Sequence, residues 1–166
     1  MFEHLARYPR ILVSGPQRSG TTIATAMIAA DTGHRRLLEE AFGVHSVTRL
    51  RLLLQQQNIV VQCPTMVAYL SDLVDDQALL VWMRRPVADI LASQQRIGWN
   101  EDEFEKAKLG QAGSPLSSAE LKYRWWLENR HRFRHTLELD YESLSAHPMW
   151  VPQERRAHFR ARQIAP

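Results

Sequence analysis

Short apolar runs alternate along the chain with longer amphipathic stretches. Ile11–Val13, Ile59–Val61, Leu79–Met83 and Leu137–Leu139 are too short for helices and apolar throughout, as expected of strands buried on both faces of a parallel sheet. Between them lie segments with helical spacing: Gly20–Asp31, Val44–Leu54 (Val47, Leu50, Leu53 and Leu54 on one side), Met66–Leu73, Val87–Arg96 and Ser117–Arg134. The last opens on "SSAE", a hydroxyl and a carboxylate at capping-box spacing. This alternation predicts an α/β fold, a three-layer α/β/α sandwich around a mostly parallel sheet. From Ile97 to Pro115 the pattern stops, and the stretch, polar and glycine-containing without an apolar period, reads as a surface loop or a lid. No internal repeat or low-complexity tract interrupts the chain.

Composition narrows the picture. The 166 residues fit one domain, 1–166, of a size that buries roughly 68–70% of the surface its unfolded form exposes. A single cysteine, Cys63, excludes an intrachain disulfide framework and a Cys-rich zinc site, and suits a reducing compartment, so a cytoplasmic location is expected. The first residues, "MFEHLARYPR", carry charges where a secretory leader needs an apolar core. The longest apolar run, Ala78–Met83, falls far short of the roughly 18 residues that span a bilayer, so no membrane partner is expected. The net charge of +3 is mild, but basic residues bunch at Arg130–His135 and Arg155–Arg162, a distribution that suits solvated helix faces or an anionic ligand. His131 and His135 stand four apart without an evident third ligand, and no metal site is expected.

The stretch "ILVSGPQRSGTT", Ile11 to Thr22, carries the most specific chemistry. An apolar strand feeds a turn bounded by Gly15 and Gly20, and a helix follows; backbone N–H groups in such a turn converge on an anion, and the helix adds its positive end. The triphosphatase pattern G-x-x-x-x-G-K-[ST] needs lysine where Thr21 stands, and the cation here is Arg18, inside the turn. With no run such as Leu79–Met83 ending in aspartate, the loop suits a phosphate that needs no metal, with Ser19, Thr21 and Thr22 as hydroxyl donors.

"RSGTT", Arg18 to Thr22, with the strand before it, resembles the 5′-phosphosulfate loop of the sulfotransferases, commonly P-K-S-G-T-T, with Arg for Lys in many bacterial members. The resemblance implies transfer of a sulfuryl group from 3′-phosphoadenosine 5′-phosphosulfate to an acceptor hydroxyl or amine, without a metal, on a P-loop fold like that of the nucleotide kinases. It implies that Gln17, Arg18, Ser19, Gly20, Thr21 and Thr22 hold the 5′-phosphosulfate, with Arg18 facing the bridging oxygen where charge grows as sulfate departs. A second segment, "VWMRRPVADILASQQR", resembles the family's 3′-phosphate segment, a strand ending in R-x-P followed by a helix bearing serine. Arg84 matches the arginine of R-x-P and Ser93 the serine; Ser93 lies nine residues after Arg84 and eight after Arg85, the family's usual interval being eight, so both arginines are candidates. An arginine fork and a hydroxyl near a helix start are apt donors for a terminal phosphate.

Further stretches resemble the family less closely. "LLEEAFG" resembles the segment where many members hold a glutamate that deprotonates the acceptor, making Glu40 the first candidate base and Glu39 the second; such a carboxylate needs burial to raise its pKa. "VVQCPTMVAYL" resembles a stretch that often reads K-x-P, with Gln62 replacing the lysine. "LELDYESLSAHPMW" resembles the Y-E-x-L stretch, where Tyr141 and Leu144 are expected to pack and Glu142 to orient the backbone. The R-K-G-x-x-G-D-W-like stretch that holds the adenine side in many members is missing, and the basic tail "ERRAHFRAR" is the candidate substitute. No motif separates a small-metabolite acceptor from a glycan, peptide or lipid. Two other readings compete: a small Mg²⁺-dependent nucleotide or metabolite kinase, against which the absent lysine speaks, and a non-catalytic nucleotide- or nucleic-acid-binding protein, suggested by the basic clusters and Trp125–Trp126. Nucleic acid is the weaker partner, because no RNA or DNA module is present and tryptophans at helical spacing belong in a core.

Overall fold

A computed structural model of the chain describes residues 1–41, 43 and 46–151. Among these residues five parallel strands, β1 (Arg10–Ser14), β2 (Arg35–Leu37), β3 (Ile59–Gln62), β4 (Ala78–Arg84) and β5 (Thr136–Asp140), form one sheet in the order β2-β3-β1-β4-β5. The central strands are buried on both faces, which is why β1, β3 and β4 read as unbroken apolar runs. Successive residues serve opposite layers: Leu12, Val61, Leu80 and Trp82 pack with Leu50, Leu70 and Trp126, while Ile11, Val13, Val60, Val81 and Met83 pack against Ala24, Met27 and Ile28. Helices α1 (Thr21–Thr32), α2 (Val47–Leu53), α3 (Leu70–Leu73), α4 (Val87–Arg96), α5 (Asp102–Lys108) and α6 (Ser118–Asn129) supply the flanking layers. Among the described residues no helix is long and apolar enough to cross a membrane.

The expected capping box is present at α6: Ser117 Oγ accepts from the Glu120 N–H at 3.3 Å, and Glu120 Oε2 accepts from the Ser117 N–H at 2.7 Å. Several boundaries differ from expectation. Pro64–Tyr69 winds as a 3₁₀ turn before the single α-turn of α3, with Pro64 at its first position. The segment expected to run helical to Arg134 leaves the α-helix at Asn129 and finishes in a 3₁₀ turn at Arg130–Arg132. Helix α2 begins at Val47, capped by Ser46; residues 42, 44 and 45 lie outside the described residues, as does the basic tail from 154 to 162. Strand β2, which has only three residues and stands at the sheet edge, was not among the predicted strands.

The largest correction concerns residues 97–115. Instead of a loop without regular structure, the segment contains α5, and the buried residues of that helix are Glu105 and Lys106. An inward face built from charge leaves no apolar period to read.

Candidate functional site

All strands end at the same edge of the parallel sheet, so the β1–α1 loop, the β4–α4 turn, the 3₁₀ turn after β2 and the residues after β3 lie together there. Ligands of open α/β sheets bind at this edge. The β1–α1 loop is shaped by two glycines. At Gly15 (φ +139°) a Cβ would stand 2.8 Å from the Met83 carbonyl oxygen, and at Gly20 (φ +100°) one would stand 2.5 Å from the Tyr141 ring. Only glycine permits both the backbone angles and the approach. Arg18, between them, is itself left-handed at φ 71°. Because Gly20 offers no side-chain cap, the first N–H groups of α1 have no capping side chain.

Around this loop the candidate residues converge. Arg18 Nε donates to Ser93 Oγ of α4 at 3.2 Å, and Arg85 Nη1 donates to the Arg18 carbonyl at 3.0 Å. The Arg85 guanidinium stacks 4.2 Å above the Tyr141 ring, and its backbone is clamped by Tyr123, whose hydroxyl accepts from the Arg85 N–H and donates to the Arg85 carbonyl, both at 2.7 Å. Ser19 Oγ, Arg85 Nε and Gln94 Nε2 are buried with no hydrogen-bond partner. Buried donors left in this state are costly unless something accepts from them. Arg84 turns the other way, onto β5, pairing with Glu138 at 3.1 Å and Asp140 at 3.3 Å with half its side chain exposed. The loop thus gathers Arg18, Arg85 and Ser93, and leaves Arg84 outside. Thr21 is buried and Thr22 exposed, and both hydroxyls accept from Gln62 Nε2, at 3.3 and 3.0 Å.

The two glutamates after β2 have opposite surroundings. Glu40 is exposed. Glu39 is buried, accepting from the Thr65 N–H at 2.8 Å and from Thr65 Oγ at 2.6 Å. Burial pushes its pKa up to about 7, against the pull of the Thr65 hydrogen bonds and the Lys122 charge.

Sequence reasoning did not find the buried ionic group beside the loop. Lys122 of α6 donates to Gln17 Oε1, to the Pro64 carbonyl at 2.8 Å and to Glu105 Oε2 at 2.6 Å. The one available signal was its spacing, four residues before Trp126 and therefore on the inward face of α6. Tyr123 and Tyr141 were missed as loop contacts for a different reason: aromatic residues near the end of a core read as packing. Tyr141 and Leu144 do pack as expected.

No protein-family model and no curated protein matches the chain. Solved structures do. A shikimate kinase from Acinetobacter baumannii in complex with shikimate superposes with a TM-score of 0.57 at 13% identity, covering 99% of this chain and 100% of its own. The YorR protein of Bacillus subtilis, in complex with phosphorylated GDP, gives a TM-score of 0.52 at 12% identity over 93% of this chain and 95% of its own. The fold is that of a P-loop nucleotide kinase. Within that fold the β1–α1 turn described above stands at the position of the P-loop, and here it carries Arg18 and has threonine, where the nucleotide-triphosphatase pattern has lysine, at position 21.

Proposed function

We propose that the chain is a metal-independent sulfotransferase using 3′-phosphoadenosine 5′-phosphosulfate and a small hydroxyl- or amine-bearing acceptor. The observation that carries this reading is the convergence of Arg18, Ser93 and Arg85 on one loop, with the buried Ser19 Oγ and Arg85 Nε lacking acceptors there. Such donors fit phosphate oxygens. The P-loop residues Gln17 to Thr22 would hold the 5′ side, and Arg85 with Ser93 the 3′-phosphate, Arg85 having both the usual interval to the serine and the contact with the loop. The bound nucleotide would supply the sulfuryl group. Arg18 would oppose the negative charge that develops on the leaving phosphate, and Glu39 would take the acceptor's proton, a task for which a carboxyl titrating near neutrality is suited. Of the two candidate glutamates, only Glu39 has the burial that the role demands.

A small-molecule kinase is the second reading, favoured by the solved neighbours, one holding shikimate and the other phosphorylated GDP. Those same neighbours support a small-molecule acceptor under either reading. Against the kinase stands the chemistry of the loop: position 21 is threonine, and the hydroxyls of Thr21 and Thr22 are met by the Gln62 amide. A carboxylate would serve a magnesium ion better there.

Paired arginine variants test the assignment. Arg85→Ala is expected to weaken adenosine 3′,5′-bisphosphate about tenfold to a hundredfold, at 1.4 kcal/mol per decade, and to leave adenosine 5′-phosphate nearly unchanged. Arg84→Ala, which removes exposed ion pairs with Glu138 and Asp140, should change neither by more than about twofold. Calorimetry in which Arg84→Ala gives the larger, 3′-selective loss would move the role to that residue.

A further inference from the structure

The P-loop and Glu39 are joined by one unbroken path of polar contacts, buried at Lys122, Glu105 and Glu39 and part-buried at Gln17 and Lys108, that leaves the sheet and returns. Gln17 Oε1, in the loop, accepts from Lys122, and Lys122 donates to Glu105 Oε2 at 2.6 Å. Glu105 Oε1 accepts from Lys108 at 3.0 Å, Lys108 donates to the Thr65 carbonyl at 3.3 Å, and the N–H and hydroxyl of Thr65 hold Glu39. The side chains of Lys122 and Glu105 are each only 1% exposed. With acceptors in Gln17, Pro64 and Glu105, all three Lys122 donors are engaged, so the ammonium is a tether and has no donor left for a ligand.

We propose that the Glu105–Lys122 pair is a positioning device by which α5 and α6 set the P-loop, through Gln17, and the Glu39 carboxylate, through Lys108 and Thr65, at the same time. This deepens the reading given under Proposed function and rests on it only as far as the loop binding a phosphate and Glu39 acting beside it. Replacing a buried pair by apolar side chains generally preserves stability, whereas removing one partner does not, so stability and positioning can be separated. The groups that bias Glu39 electrostatically are Lys122 and Glu105, and the Cys63 thiol lies within reach of its charge. In Glu105, burial acts to raise the pKa, but the Lys122 charge and the hydrogen bonds from Lys122 and Lys108 outweigh it and hold the carboxyl below its ordinary value. In Lys122, burial pulls the pKa below its ordinary value, against the charge and hydrogen bond of Glu105.

The test combines E105L/K122M with two variants that each cut one arm, Gln17→Leu and Lys108→Met. The readouts are melting temperature, calorimetric affinity for adenosine 3′,5′-bisphosphate, and the Glu39 titration followed by carboxyl carbon-13 NMR. The double variant is expected to melt close to the parent, to bind the nucleotide about tenfold more weakly, and to titrate Glu39 at higher pH, since the net attraction from Lys122 and the fixed Thr65 donors are lost. Gln17→Leu should weaken the nucleotide without moving Glu39, and Lys108→Met should raise Glu39 without weakening the nucleotide. Parent-like binding and parent-like titration in the double variant would reduce the pair to packing and overturn the proposal; if that variant does not fold, parent-like values in both single-arm variants overturn it equally. Should the parent chain bind ADP with Mg²⁺ in place of the bisphosphate, sulfuryl transfer falls, and the same variants measured with ADP decide the positioning role. A parent that binds neither nucleotide removes both.

Discussion

Glu39→Gln is expected to slow group transfer by roughly 10²–10⁴-fold while raising stability above neutral pH. The isosteric amide keeps an oxygen for the Thr65 N–H and hydroxyl, so the local geometry is preserved and only the proposed base is lost. The stability change follows from linkage. The folded pKa, pushed by burial to about 7, exceeds the ordinary value of 4.5, so the folded state binds the extra proton in between. The stabilisation is complete below about pH 4.5 and is lost as pH rises through about 7. Above that range the parent carries a buried carboxylate that the amide variant does not, a difference of up to about 3 kcal/mol. Denaturant midpoints of the two proteins should therefore coincide near pH 4 and diverge by pH 8, with Glu39→Gln the more stable. Parent activity should rise with pH through about 7 as the base ionises. A larger defect in Glu40→Gln than in Glu39→Gln would transfer the role to the exposed neighbour.

Arg18→Gly is expected to lower turnover by about 10²–10³-fold with little change in stability. Arg18 sits at φ 71°, a conformation that costs a side chain roughly 1 kcal/mol or more and glycine nothing. That relief roughly offsets the lost hydrogen bond to Ser93 and the added freedom of glycine in the unfolded chain. Arg18→Ala keeps the strained angle and loses the same contact, so it should be the less stable of the two and equally inactive. Retained turnover in a folded Arg18→Gly protein would show that the charge opposing the leaving group comes from elsewhere.

The parts of this molecule that could be read from sequence are those where apolar burial sets the pattern. β1, β3 and β4 lie between two helical layers, so their runs were unmistakable, and α4 was legible from Val87 to Arg96 because Pro86 marks its start. Strand β2 was not, because it has three residues, two of them exposed arginines at the sheet edge. Helix α5 was hidden for the opposite reason, since its inward face is charged. The same limit applied to the site. Loop chemistry is local, so "GPQRSGTT" pointed directly at an anion, but the choice between Arg84 and Arg85 depends on which side of β4 each leaves, and between Glu39 and Glu40 on which one Thr65 reaches. Lys122 lies 105 residues from Gln17 in the chain, a pairing that only the fold supplies.

We propose that this loop takes a nucleotide with a 3′-phosphate and needs no metal to do so. Isothermal calorimetry of the purified chain with adenosine 3′,5′-bisphosphate, and separately with ATP plus Mg²⁺, tests it most directly. Binding of the bisphosphate that is about tenfold or more tighter than that of ATP, and unchanged by EDTA, is the predicted result. Mg²⁺-dependent binding of ATP, with no heat from the bisphosphate, would contradict it and leave the kinase reading in its place.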